Sequence, residues 1–266
     1  MKTIACIIAR TNSKRLPLKV LKIINEKSMI EHIIENLKGI KDINNIYICT
    51  STNEEDIILK DVAKKNNVDF YAGSEKAVIE RMLDVAKIEN ADNVIRITGD
   101  NIFTDRYFLI EMLKQHQLND MDYTRTEYIS IGVTAEIIKT SALENCYSSI
   151  DPDKSEYLFL YMFNPNKYKC LVLIPEEKYQ NPFSSLTVDT ENDWERTEFI
   201  FQELQEPISY IDIINLNKRK KIPYFEIDKN INIKLPDDKE ISYGLFRKKI
   251  EAKIKNARKF SIKFLK

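Results

Sequence analysis

Arg10, Lys14, Arg15 and Lys19 bring four cationic side chains together within ten residues, with Asn12 and Ser13 as neutral donors between them. Such a cluster suits a polyanion, because guanidinium and ammonium groups neutralise phosphate oxygens and a hydroxyl adds a further donor. A nucleoside triphosphate is one ligand of that kind. From local composition alone, the same stretch also fits a solvated surface turn. Two carboxylates come next. Asp100 follows Gly99 at the end of the strand-like run 93–98, and Asp189 closes a second run, 185–188. A carboxylate at the carboxyl end of a strand, beside a glycine that lets a ligand approach, is where a metal–triphosphate can sit. If the two run ends are neighbours, Asp100 and Asp189 can share a magnesium ion. Taken singly, Asp100 also fits a turn or helix cap, and Asp189 fits the N-cap of a helix over 191–204.

Other chemistries find no support in the spacing. There is no GxxxxGK[ST] loop and no GxGxxG turn, and the whole chain has only five glycines, Gly39, Gly73, Gly99, Gly132 and Gly244. The two histidines, His32 and His116, both fall inside predicted helices, which argues against a Ser-His-Asp or Cys-His centre. Cys6, Cys49, Cys146 and Cys170 are scattered without metal-ligand spacing and read as reduced core residues. Chemistry here must therefore be electrostatic, resting on Lys, Arg and a metal.

The elements that must position these residues alternate. Strand patterns at 3–9, 45–50, 68–72 and 93–98 are separated by helical patterns at 28–38, 54–66 and 75–90, with a further helix at 105–117. Ser28 is placed to cap the first of these helices. A βαβαβαβ rhythm predicts a doubly wound, mostly parallel α/β sheet, whose ligands sit outside the carboxyl ends of the strands. After residue 120 the order loosens. Strands are expected at 121–126, 131–138, 169–174 and 185–188, and helices at 139–147, 153–163, 191–204 and 209–221. From 222 the chain is strongly charged, and 245–263 reads as an amphipathic helix.

The 266 residues are 43% hydrophobic with a formal net charge of zero, which fits one large α/β domain or a core domain with an appendage. The zero conceals a split, since residues 217–266 carry 16 Lys+Arg against 6 Asp+Glu. A basic tail docks on something acidic: its own core, a second subunit, nucleic acid or a membrane surface. Cations interleaved with Ile, Phe and Tyr favour the first two. The amino-terminal apolar run is too short for a secretory leader, and no run approaches the ~20 apolar residues of a membrane span. A soluble cytoplasmic protein with no nucleic-acid partner is expected.

Taken together, these residues resemble a known family. The loop Ala9-Arg10-Thr11-Asn12-Ser13-Lys14-Arg15-Leu16-Pro17-Leu18-Lys19 resembles the CTP-binding signature A-R-x-x-S-x-R-[LF]-P-G-K of cytidylyltransferases. Members include those that activate 3-deoxy-octulosonate or nonulosonic acids and the spore-coat polysaccharide type. Asn25–Ile30, Ala72–Arg81, Arg96–Asp100 and Leu186–Trp194 resemble four further motifs in the same order, so the resemblance spans roughly residues 3–216. Leu18 and Glu26 stand where the family has glycines, and Ala77 where it has an aspartate. The resemblance implies a nucleotide-diphospho-sugar transferase (Rossmann-like) fold in 1–221, with a small mixed subdomain and a basic C-terminal extension over 222–266 that has no counterpart in those motifs. It implies magnesium-dependent transfer of CMP from CTP to an acceptor oxygen, the acceptor being an acidic sugar or related surface-glycan precursor. Arg10, Arg15 and Lys19 would bind the phosphates, with Ser13 as a donor. Ala9 and the Gly73, Ser74 and Arg81 segment would face the cytosine, with Gly99 alongside. Lys19, Asp100 and Asp189 would carry catalysis, the two aspartates holding Mg2+. Arg125 and Glu136 would line the acceptor pocket. A homodimer is expected. The alternative is a nucleotide-binding or scaffold protein of the same fold, impaired in turnover by changes such as Leu18.

Overall fold

A computed structural model describes residues 1–237 and 239–263, so Asp238 and the last three residues of the basic extension lie outside the described residues. In the first half the chain runs through β1 (Thr3–Ile8), β2 (Ile23–Ile24), β3 (Lys27–Ser28), α1 (Met29–Leu37), β4 (Asn45–Ser51), α2 (Ile58–Lys65), β5 (Asp69–Gly73), α3 (Val78–Glu89), β6 (Asn93–Thr98) and α4 (Arg106–Leu118). It continues through β7 (Tyr123–Thr126), β8 (Glu136–Lys139), α5 (Thr140–Tyr147), α6 (Leu158–Met162), β9 (Cys170–Pro175), α7 (Glu191–Glu203), α8 (Tyr210–Arg219), β10 (Asn232–Lys234), β11 (Glu240–Ser242), α9 (Tyr243–Asn256) and β12 (Arg258–Ile262).

Eight strands make one sheet in the order β12-β9-β7-β8-β6-β1-β4-β5. Its neighbours run parallel except around β8, which is antiparallel to both β6 and β7. The doubly wound, mostly parallel sheet expected from the alternation is what forms. β1 shows why it is covered on both faces. Ala5 and Ile7 pack into a cluster with α1, α2 and α4, whereas Ile4 and Cys6 pack into a second cluster with α3, α5 and α9. Strand side chains alternate between faces, so a strand apolar at every position must be buried on both. Each such fully buried aliphatic side chain contributes about 1.5–3 kcal/mol. α1 starts where expected: the Glu31 carboxylate accepts from the backbone N–H of Ser28 at 2.8 Å and from its hydroxyl at 2.7 Å, a closed N-terminus. The four cysteines are free and buried. No helix among the described residues is long and apolar enough to cross a membrane.

Three sequence expectations need correction. The run 131–138 is strand only from Glu136 to Lys139. Gly132 turns the chain at φ 90°, outside the extended backbone a strand needs, and a Cβ there would lie 2.7 Å from the Thr187 backbone nitrogen. The run 185–188 is no strand of the sheet; Ser185 makes a lone bridge to Ile131. The stretch 245–263 is not one helix. α9 ends at Asn256, and Arg258–Ile262 turns into β12, which pairs in parallel with β9 at the edge of the sheet.

His116 ties α4 to the sheet. Its Nδ1 lies 2.8 Å from Thr124 Oγ1 and its Nε2 3.1 Å from Asn93 Oδ1. Burial, aided by Lys139, pushes the imidazole down to about 4. A depressed imidazole means that the unfolded chain binds the extra proton first. Stability is therefore expected to fall as pH drops from 6.5 towards 4, by up to roughly 3 kcal/mol. Denaturant unfolding at pH 7 and pH 4.5 checks this, with His116→Gln expected to flatten the dependence. Glu31, pushed down to about 2 where its hydrogen bonds with Lys65, Ser28 and Asn66 outweigh burial, acts only in a lower window, as pH falls from 4.5 towards 2.

Candidate active site

β1 lies between β4 and β6. The chain leaves β1 towards β4 and later returns to β6 on the other side, so a crevice opens between the loops that follow β1 and β6. The loop after β1 is pinned before it reaches the crevice. Asp56 Oδ1 accepts from the Thr11 backbone N–H and hydroxyl, both at 2.7 Å, and Oδ2 accepts from the Ser51 hydroxyl. Burial pushes the Asp56 carboxyl up, but these donors outweigh it and hold the group below its ordinary range. Leu16 and Val20 then sink into the core and anchor the far end of the loop. Gly99 lets the two strand ends meet, because a Cβ there would sit 3.0 Å from the Ala9 Cβ and 3.1 Å from Val20 Cγ1.

Leu18 adopts φ 54° and ψ 24°, the left-handed conformation. The backbone shape that a glycine would take without strain is thus kept by a leucine. Asn25 and Glu26, at φ 44° and 65°, form the two-residue turn between β2 and β3, a geometry that favours Asn-Gly. A left-handed non-glycine costs about 1–2 kcal/mol, and a new glycine gives back about 0.5–1 kcal/mol of unfolded-chain entropy. Leu18→Gly and Glu26→Gly are each expected to stabilise by about 0.5–1 kcal/mol, read as a higher denaturant midpoint at unchanged slope.

Above the crevice lies a cavity of about 560 Å3 lined by Ala9, Arg10, Ser13, Lys14, Arg15, Lys19, Arg81, Arg96, Gly99, Asp100 and Asp189 among others. Six basic side chains face four acidic ones around it, an environment for an anion. Arg10 pairs with Glu75 at 3.2 Å. Asp189 arrives from a distant segment, because the Val188 N–H donates to the Asp100 carbonyl at 3.0 Å. Lys19 Nζ spans the two carboxylates, 2.8 Å from Asp189 Oδ1 and 3.7 Å from Asp100 Oδ2, and Arg15 reaches Asp189 at 3.3 Å. Gly73 and Ser74 stand outside this lining. A Cβ on Gly73 would meet Arg81 Cγ at 2.9 Å, so the glycine makes room for the buried Arg81. Ser74 Oγ accepts from the Ala77 N–H at the start of α3.

A second cavity of about 490 Å3 shares Arg96, Thr98, Asp100 and Asp189 with the first. Arg125 and Glu136 line it. Arg125 Nε pairs with Glu127 Oε1 at 2.8 Å, and its guanidinium lies 3.9 Å over the Phe159 ring. Burial works against the Arg125 charge, but Glu127 and the oxygens of Tyr123 and Glu136 outweigh it and raise its pKa. Glu136 is engaged on both oxygens, by Arg96 and by the Tyr123 hydroxyl. It holds Arg96 across the β6–β8 pair. Neither Arg96 nor Glu127 was among the expected site residues, although Arg96 opens the motif Arg96–Asp100. Arg96 carried a second signal, as a charge among the apolar residues Val94, Ile95 and Ile97.

The fit of a divalent cation can be tested on the aspartates. Asp100 Oδ1 is buried without a hydrogen-bond partner, an acceptor directed at no donor of the protein. Two carboxylates and nearby phosphate oxygens would make an all-oxygen donor set, which suits a hard cation such as magnesium.

The model of a family described as cytidylyltransferase matches residues 4–231. An uncharacterized protein of Methanocaldococcus jannaschii is 32% identical over 236 residues, covering 88% of this chain and 93% of its own length. The spore coat polysaccharide biosynthesis protein SpsF of Bacillus subtilis is 30% identical over 222 residues, covering 80% and 92%. A solved cytidylyltransferase from Leptospira borgpetersenii is similar with a TM-score of 0.79 at 28% identity, covering 86% of this chain and 99% of that one.

Proposed function

Because the chain belongs to the cytidylyltransferase family, we propose that it transfers CMP from CTP to an oxygen of an acidic sugar, with magnesium, and releases pyrophosphate. One observation carries the reading. Asp100 and Asp189 stand where the two cavities join, so a nucleotide in one and an acceptor in the other would meet at the carboxylates. Arg10, Arg15 and Lys19 bind the triphosphate, and Ser13 donates to it. The backbone at Ala9 and the α3 residues Val78 and Arg81 border the cytosine. Asp100 and Asp189 would hold the metal, which would supply charge neutralisation at the α-phosphate. The acceptor oxygen forms a bond to the α-phosphorus as the bond to the pyrophosphate oxygen breaks, in line. The protein contributes position and electrostatics, so no histidine is needed. A role in polysaccharide biosynthesis is in keeping with the SpsF similarity.

The test is pyrophosphate release from CTP and magnesium with a panel of acidic sugars. Release that depends on one of the sugars is the expected result. CTP binding by calorimetry with no release across the panel would instead favour a nucleotide-binding scaffold.

A further inference from the structure

α9 begins beyond the last residue of the family match and forms one wall of the second cavity through Tyr243, Phe246 and Arg247. The wall is aromatic: Tyr243 and Phe246 stack at 6.2 Å between centroids, and Phe159 meets Phe246 edge-on at 6.2 Å. At its base, one carboxylate serves two guanidiniums. Glu127 Oε2 accepts from Arg247 Nη1 at 2.8 Å, while Oε1 pairs with Arg125 at 2.8 Å. Glu127 is 2% exposed and the Arg247 side chain 9%. The triad therefore keeps one positive charge uncompensated in a buried setting, and the adjoining Arg96–Glu136 pair is already neutral. Nε and Nη2 of Arg247, Nε of Arg96 and the Thr126 hydroxyl are all buried without a partner. Buried donors are normally satisfied. The whole lining holds three basic and four acidic side chains, Asp100 and Asp189 among them, but in the corner formed by Arg125, Glu127 and Arg247 several open donors beside one unshared cation call for an anionic, oxygen-rich ligand. The Nε–Nη2 edge of a guanidinium is also the edge that holds a carboxylate by two parallel hydrogen bonds.

We infer that Arg247 is a specificity-determining residue for the acceptor. It holds the acceptor's carboxylate, Glu127 fixes its position, and the aromatic wall of α9 packs the acceptor's carbon skeleton. The inference rests on the cytidylyl-transfer reading of the paired cavities. Calorimetry on the full chain with 3-deoxy-octulosonate and N-acetylneuraminate, each against its methyl ester, tests it, with CTP titrated separately. The expected result is that wild type binds at least one acid roughly tenfold or more tighter than its ester. Arg247→Gln should abolish that preference, with CTP affinity kept within about twofold as the sign that the variant is folded. Arg247→Lys, which keeps the charge facing Glu127 but loses the fork, should weaken the acid by about fivefold or more. An unchanged preference in Arg247→Gln overturns the inference. So does full acid affinity in Arg247→Lys, or a wild type that binds no acid of the pair. Failure of CTP to bind wild type would instead sink the cytidylyl-transfer reading, and the acid titrations would still decide Arg247.

Discussion

Asp100→Asn is expected to lower turnover by about a thousandfold or more, roughly 4 kcal/mol of transition-state stabilisation, with almost no change in melting temperature. The asymmetry follows from how little the carboxylate does for the fold. Its Oδ1 has no hydrogen-bond partner, and its Oδ2 lies 3.7 Å from Lys19, at the limit of an ion pair. Lys19 keeps its shorter contact to Asp189 in the variant. The backbone carbonyl that receives Val188 N–H is untouched. A carboxylate that stabilises so little yet faces both cavities fits the metal-holding role proposed for it. Pyrophosphate release and thermal unfolding, measured side by side, separate the two roles. A variant that loses several degrees of melting temperature along with its activity would make Asp100 a structural residue.

Glu127→Ala, by contrast, should give the largest loss of stability. The substitution takes from Arg125 and Arg247 the one carboxylate they share. Removing one partner of a buried pair costs about 3–5 kcal/mol, which for a chain of this size is on the order of 10 °C in melting temperature. The loss should persist in high salt, because buried pairs are poorly screened. Replacing Glu127 and Arg247 together by apolar residues should recover part of it. Denaturant midpoints for the single and double variants would show this. A loss below 1 kcal/mol for Glu127→Ala would mean that water already reaches the triad.

Much of this molecule was legible from local pattern, for local reasons. α1 could be read because Ser28 and Glu31 close its start and its apolar residues recur at helical spacing. β1 could be read because a strand buried on both faces is apolar at nearly every position. The loop after β1 could be read because so many cations gather within it. What stayed hidden depends on contacts between distant segments. The nearness of Asp189 to Asp100 rests on one backbone hydrogen bond between residues 188 and 100. Gly132 turns where Thr187 passes beside it. Arg247 sits among other cations on a basic helix and reads as one more solvated charge. Only the fold turns it onto a carboxylate 120 residues away.

The position of β12 bears on the order in which the molecule becomes competent during synthesis. Every residue named on the first cavity has been made once Asp189 has emerged. The second cavity must wait for α9, and the sheet holds that end of the chain through the pairing of β12 with β9. At 5–20 residues per second, the intervening stretch takes the ribosome several seconds, on the order of 3–15 s. The nascent chain thus passes through an interval in which the first cavity can be complete while the second, proposed to hold the acceptor, still lacks its α9 wall.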